Sequence, residues 1–189
     1  MNRAQCYALV NELLRYRARA DEYQRSQVDR IIGFIHSCEA PWRRTTLEGH
    51  LTASAWIVDP ANERALLIHH KKLDKWLQPG GHIDDEDASV CAAALREARE
   101  ETGLVGLAIP FKNEVSIFDV DVHSIPARRD EPSHFHYDIR YRFLAPDAAT
   151  KLNPEESNAL HWFDQRGIAH DATMDPSIRR MSSLVEVTP

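Results

Sequence analysis

The sequence predicts a chain of the α/β (α+β) class, and three stretches carry the prediction. From His134 to Phe143, aromatic and aliphatic residues alternate with polar ones at the period of a strand. From Cys91 to Thr102 the apolar and acidic residues separate onto two faces at helical spacing. Between Arg3 and Cys38 two apolar stripes precede any strand pattern, so a helical pair stands ahead of the sheet.

Taken in order, Leu9, Val10, Leu13 and Leu14 mark a first helix. Asp21 with Gln24 makes a capping box for a second, which carries Val28, Ile31, Ile32 and Ile35 and ends at Ala40-Pro41. This pair is open to three uses: packing, a homodimer surface, or a cover over a site. Gly49 to Val58 reads as a strand, Asp59-Pro60-Ala61-Asn62 as a turn, and Arg64 to His70 as a second strand. Pro79-Gly80-Gly81 closes a short apolar run. A helix is expected directly after it, with acidic residues at its start and Gly103 as a left-handed C-cap.

Asn113 to His123 alternates next, with Val115, Ile117, Asp119, Asp121 and His123 on one side. Ser124 to Ser133, which holds Pro126 and Pro132, is a loop that joins this run to the next strand as an antiparallel pair. In that strand Phe135, Tyr137, Ile139, Tyr141 and Phe143 share one face, and His134, His136, Asp138, Arg140 and Arg142 the other. Asn153-Pro154-Glu155-Glu156 is a turn and Ala159 to Phe163 a last strand. Asp164 to Ala172 holds a helical turn, and Asp175-Pro176 caps a final helix through Val185.

A chain of 189 residues suits one domain burying roughly 70% of its unfolded surface. It divides here into a helical extension at 1–45 and a main domain at 46–189. A net charge of -6 argues against stable nucleic-acid binding through bulk electrostatics, although a small anion can still be held by local cations. Cys6, Cys38 and Cys91 are odd in number and far apart, which fits a reduced, cytoplasmic setting; no signal peptide or membrane span is evident. Cys91 falls on an apolar stripe and reads as packing.

Glu97, Glu100 and Glu101 share one arc of their helix. Three like charges so close raise one another's pKa unless a cation sits among them, and hard divalent ions take oxygen ligands. The plainer reading is a solvated face with an ordinary Arg96 to Glu100 pair. The run Arg96-Glu97-Ala98-Arg99-Glu100-Glu101-Thr102-Gly103-Leu104, led by Gly81, resembles the signature of the Nudix (MutT-like) hydrolases, G-x5-E-x7-R-E-U-x-E-E-x-G-U with U apolar. The first half departs from it: the spacing from Gly81 to Arg96 is one residue longer, and Asp87 stands where the signature has Glu.

The resemblance implies an α/β/α sandwich with a mixed β-sheet. It also implies hydrolysis of the diphosphate linkage in a nucleoside diphosphate joined to another group, by water attack at phosphorus. The Gly80 carbonyl, Glu97, Glu100 and Glu101 would hold Mg2+ or Mn2+, and Glu97 or Glu156 would act as base, Glu156 standing six residues before Trp162. Arg96 would keep the glutamates in register. For substrate, Lys71 and Lys72 sit at a strand end, Trp76 offers a ring to a base or to the core, and His134, His136 and Arg140 line the polar side of their strand. Asp121, His123, His134, His136 and Asp138 are either a second site or a wet sheet face with cross-strand pairing. Two other readings compete. One is an isopentenyl-diphosphate-isomerase-like enzyme with a histidine-glutamate metal site, and the other a nucleotide-sensing regulator that keeps the signature for binding. The full Arg-Glu-x-x-Glu-Glu run points to hydrolysis.

Overall fold

In the computed structural model, which describes residues 1–109, 116–127, 131–146 and 157–185, the two leading helices form where the apolar stripes require them. They are α1 (Arg3–Arg19) and α2 (Glu22–Ser37). Asp21 caps α2, its carboxylate accepting the Gln24 N–H at 2.8 Å. The other arm of the expected box goes elsewhere, since the Gln24 amide reaches Asp119 at 2.8 Å. Leu9, Leu13, Val28, Ile31 and Ile35 are buried, whereas Leu14 is exposed because Cys6 and Tyr16 complete the inner face of α1. The expected α+β class holds, with seven strands and five helices among the described residues.

Two compact units divide the chain. The first comprises Met1–Ala53, Gly81–Ala94 and Ser116–Tyr141; the second comprises Ser54–Gly80, Leu95–Val115 and Arg142–Pro189. In the first, β6 (His134–Leu144) lies between β1 (Gly49–Val58) and β5 (Ile117–Ile125). The strand expected from Asn113 begins at Ile117, Asn113 to Val115 lying outside the described residues. β5 and β6 pair antiparallel as the intervening loop predicts, and the register sets Asp119 opposite Arg140, Asp121 opposite Asp138 and His123 opposite His136.

Both α1 and α2 pack against β5. Phe34 stacks on Tyr137 with ring centroids 4.1 Å apart, Tyr141 donates to Glu12 at 3.1 Å, and Arg19 donates to the Ile117 carbonyl at 2.7 Å. The apolar stripes are thus used in packing within this unit. β1 enters at Gly49, where a Cβ would run into the Phe135 carbonyl and meet the Tyr137 ring at 3.0 Å. Only glycine lets the two backbones approach so closely.

β2 (Arg64–His70) is the hub of the second unit. β7 (Ser157–Asp164) pairs along its whole length, which leaves the other edge to β1, at Leu66, and to β3 (Lys75–Leu77), at Ile68. The turn before β2 is closed by Asp59, whose carboxylate accepts the N–H groups of Glu63 and Arg64 at 2.8 and 2.9 Å. Asp164 caps the short α4 (Gln165–His170), and Asp175 accepts the Ser177 N–H in front of α5 (Pro176–Val185).

The glycine bend becomes β4 (Gly80–His82), which pairs with β1. α3 (Val90–Thr102) begins later than expected. The acids that look like its first turn form a loop instead: the Asp87 carboxylate accepts the Asp84 N–H at 2.8 Å, and Asp85 holds Trp42 and Arg43. Ser89 caps the helix through Ala92. Its far end is as expected, with Gly103 at φ 67° donating to the Arg99 carbonyl at 2.8 Å.

Candidate functional site

The carboxylate group lies in the second unit, on the last turns of α3. Alanines at 94 and 98 bury one side of the helix, so the glutamates emerge beside it at different depths. Arg96 Nη1 bridges two of them, at 2.9 Å to Glu97 Oε1 and 3.4 Å to Glu100 Oε2. Glu101 is only 3% exposed, and its carboxylate accepts the Gly80 N–H at 2.8 Å. Helix and glycine bend are therefore clasped by a charge-assisted hydrogen bond from the backbone. The Pro79 carbonyl accepts from Ala55 at 2.8 Å and fixes the other side of the bend.

Lys71 and Lys72 are exposed in the turn after β2, where the Lys72 and Leu73 N–H groups meet His70 Nδ1 at 3.2 Å. Trp76, on β3, stands edge-on to Phe163 at 4.9 Å and His69 at 5.0 Å, half-buried in an aromatic cluster. Glu156 lies outside the described residues. Asp87, the signature's misplaced acid, closes its own loop.

The polar side of β6 is not wet. Arg140 is 2% exposed and donates to Asp138 at 2.7 Å and Asp119 at 2.9 Å, with Asp121 at 3.6 Å. Thr52 donates to Asp138 at 3.0 Å and Gln24 to Asp119. Burial works against the guanidinium's charge, but Asp138, Asp119 and Asp121 outweigh it and hold the pKa above the ordinary arginine value. The expected substrate role of Arg140 is corrected accordingly: its donors are spent on three carboxylates inside the first unit. Cys91 is a buried thiol that burial pushes up to about 12, so it packs and does not attack.

His134 and His136 join a group that the sequence reading missed. His50 and His82 stand with them, His50 being ringed by His82, His134 and His136 at centroid distances of 5.0, 5.2 and 4.7 Å. A histidine inside the apolar run of β1 and another directly after Gly81 were the available signals. Burial is the main cause that lowers these groups, to about 3 for His50, about 4 for His82 and about 3 for His136, with further lowering from neighbouring imidazoles and, for the first two, Arg44.

A stability prediction follows for His50, which faces His82, His134, His136, Arg44 and Glu131. Its folded pKa, about 3, lies below the ordinary 6.5, so the unfolded chain takes up a proton that the folded one refuses. Its contribution is complete above about pH 6.5 and is lost as pH falls toward 3. For metal-free protein, moving from pH 7 to pH 5 is expected to cost about 2 kcal/mol through this group, read from urea midpoints. His50→Phe should make the slope shallower, leaving the part that His82 and His136 contribute; an equally steep slope in the variant would remove the assignment.

A family model described as NUDIX domain matches residues 49–184. Among solved structures, a NUDIX-family hydrolase from Clostridium perfringens is 27% identical, over 73% of this chain and 97% of its own, with a TM-score of 0.53. A MutT NUDIX hydrolase from Burkholderia pseudomallei is 25% identical over 74% and 98%, with a TM-score of 0.51. The NUDIX domain of NrtR from Shewanella oneidensis, complexed with ADP ribose, shares the fold at 18% identity over 72% and 85%, with a TM-score of 0.54. No curated protein matches the chain. With a domain match over most of its length and the signature's arginine and glutamates gathered at the end of α3 beside the glycine bend, the chain belongs to the Nudix family.

Proposed function

We propose that the chain is a pyrophosphohydrolase, cleaving the diphosphate linkage of a nucleoside diphosphate joined to a second group by water attack at phosphorus. The observation that carries the reading is the clasp between Glu101 and the Gly80 N–H, which brings the α3 carboxylates to the glycine bend. The donors available there are oxygens, the kind a hard divalent cation takes, so Glu97, Glu100, Glu101 and the Gly80 carbonyl fit Mg2+ or Mn2+. When bound, such an ion supplies charge neutralisation at the diphosphate and a more acidic water.

The protein's own residues do the rest. Arg96 holds Glu97 and Glu100 by charge-assisted hydrogen bonds, which keeps two carboxylates aligned before substrate arrives. Glu97, its side chain 14% exposed, is sheltered yet reachable and serves as the proton acceptor, with Glu156 the other candidate for that role. Lys71 and Lys72 meet substrate phosphate, and Trp76 offers its ring to the base.

The test is a panel of ADP-ribose, nucleotide sugars, dinucleoside polyphosphates, nucleoside triphosphates and isopentenyl diphosphate, each with Mg2+ and then Mn2+. Hydrolysis of at least one nucleotide, with water oxygen-18 entering a phosphate product and isopentenyl diphosphate unchanged, is expected. Isomerisation of isopentenyl diphosphate without nucleotide cleavage would overturn the reading, as would nucleotide binding with no turnover.

A further inference from the structure

His50, His82 and His136 bring three ring nitrogens within 4.8 Å of one another inside the first unit. None of them belongs to the family's glutamate helix. His50 is 3% exposed, and neither of its ring nitrogens has a hydrogen-bond partner among the described residues. A buried donor or acceptor left unmade costs stability, so packing alone would favour an apolar side chain here. Three imidazoles instead gather nitrogen donors in one place, the atoms a borderline-soft cation takes.

A fourth imidazole stands beside these three. His134 Nδ1 lies 2.9 Å from the Pro132 carbonyl, which can only accept, so this nitrogen donates and, in the neutral ring, Nε2 keeps its lone pair. That Nε2 is 3.3 Å from His136 Nε2. Two nitrogens sharing a tetrahedral ion at about 2.0–2.1 Å are roughly 3.4 Å apart, so the hydrogen bond between these two rings holds them at a spacing that a shared ion could also take. His123 stands edge-on to His136 at 5.6 Å, and its Nδ1 meets Asp121 at 3.0 Å.

We propose that His50, His82 and His136 form a binding site for one late first-row divalent cation of the Zn2+ type, its fourth ligand drawn from His134 or water. The donors are nitrogens. Imidazole suits Zn2+, Co2+, Ni2+ and Cu2+, whereas Mg2+ prefers oxygen, so this centre and the glutamate helix select different ions. Three histidines with one exchangeable position is also the arrangement of ions that act as Lewis acids. The site stands independently of the hydrolase reading and does not require it.

The test uses the full chain, stripped with a strong chelator and dialysed. Zn2+ is titrated against a chromophoric chelator in excess Mg2+, and Co2+ is added to a second sample for its visible spectrum. One equivalent of Zn2+ with a raised Tm, and intense bands of four-coordinate Co2+, are expected. His82→Gln and His136→Gln, both at partly exposed positions, should each weaken Zn2+ by more than about 100-fold and remove the Co2+ bands. Glu97→Gln should leave both signals unchanged. Should His50→Leu fail to fold, the other two variants still decide. Weak octahedral Co2+ bands, Zn2+ bound no better than in the His136→Gln variant, or loss of both signals in Glu97→Gln would overturn the proposal.

Discussion

Arg140→Met is expected to lower the folding stability by about 3–5 kcal/mol, the range for removing one partner from a buried ion cluster. The guanidinium is the cation shared by Asp119, Asp121 and Asp138, and Asp121 lies directly opposite Asp138 across the β5/β6 ladder. Like charges at opposed positions destabilise a strand pair unless something sits between them. Arg140 does so from β6, while Thr52 on β1 and Gln24 on α2 complete the carboxylates' hydrogen bonds. Losing the cation thus leaves three acids crowded in a low-dielectric site, with their pKa values driven upward. Arg140→Lys should fall between wild type and Met, since it keeps a charge but not the planar fork that reaches several carboxylates at once. Adding Asp119→Asn and Asp138→Asn to the Met variant should recover part of the loss. Urea midpoints of the four proteins at pH 7 give the comparison, and a Met variant as stable as wild type would show that the network contributes nothing.

That network also shows where a sequence stops being informative. The five longer strands were legible because their apolar patterning is a local property, and the turn at Asp59 and the caps at Asp21, Asp175 and Gly103 were legible because each satisfies backbone groups a few residues away. The polar face of β6 was not. Asp138 and Arg140 alternate with apolar residues as a solvated face would, and only long-range partners on β1, β5 and α2 turn that face into a buried one. His50 was hidden for the converse reason: within β1 it looks like one polar interruption of an apolar strand, and its imidazole neighbours come from β4 and β6. The helix start was misplaced because Asp84 to Asp87 suit a helix N-terminus and a side-chain-closed turn equally well, and the hydrogen bond from the Asp84 N–H to Asp87 decides for the turn. The signature residues themselves were readable to the position. Their separation into an Arg96 pair and a Glu101 clasp was not, since the clasp depends on the Gly80 N–H, which lies 21 residues away in the chain.

Glu100→Gln combined with Glu101→Gln is expected to reduce kcat by at least about 10²–10³ with little change in Tm, on whichever nucleotide the wild-type protein cleaves. The two positions carry different loads. Glu100 is half exposed and shares Arg96 with Glu97, so its amide removes a charge at little structural cost. Glu101 is buried, and an amide oxygen in place of its carboxylate can still accept the Gly80 N–H. The double variant therefore keeps the clasp and deletes two negative charges, which separates chemistry from folding. Glu101→Ala, by contrast, opens the clasp, and should lower Tm as well as turnover by freeing a buried backbone donor. Glu22→Gln, on the exposed start of α2, serves as the control with unchanged kinetics. If the double Gln variant kept wild-type kcat with Mg2+, the α3 carboxylates would be structural and the reacting water would have to be activated elsewhere in the chain; if instead Tm collapsed with kcat, the charge of Glu101 would matter to the fold before it mattered to the reaction.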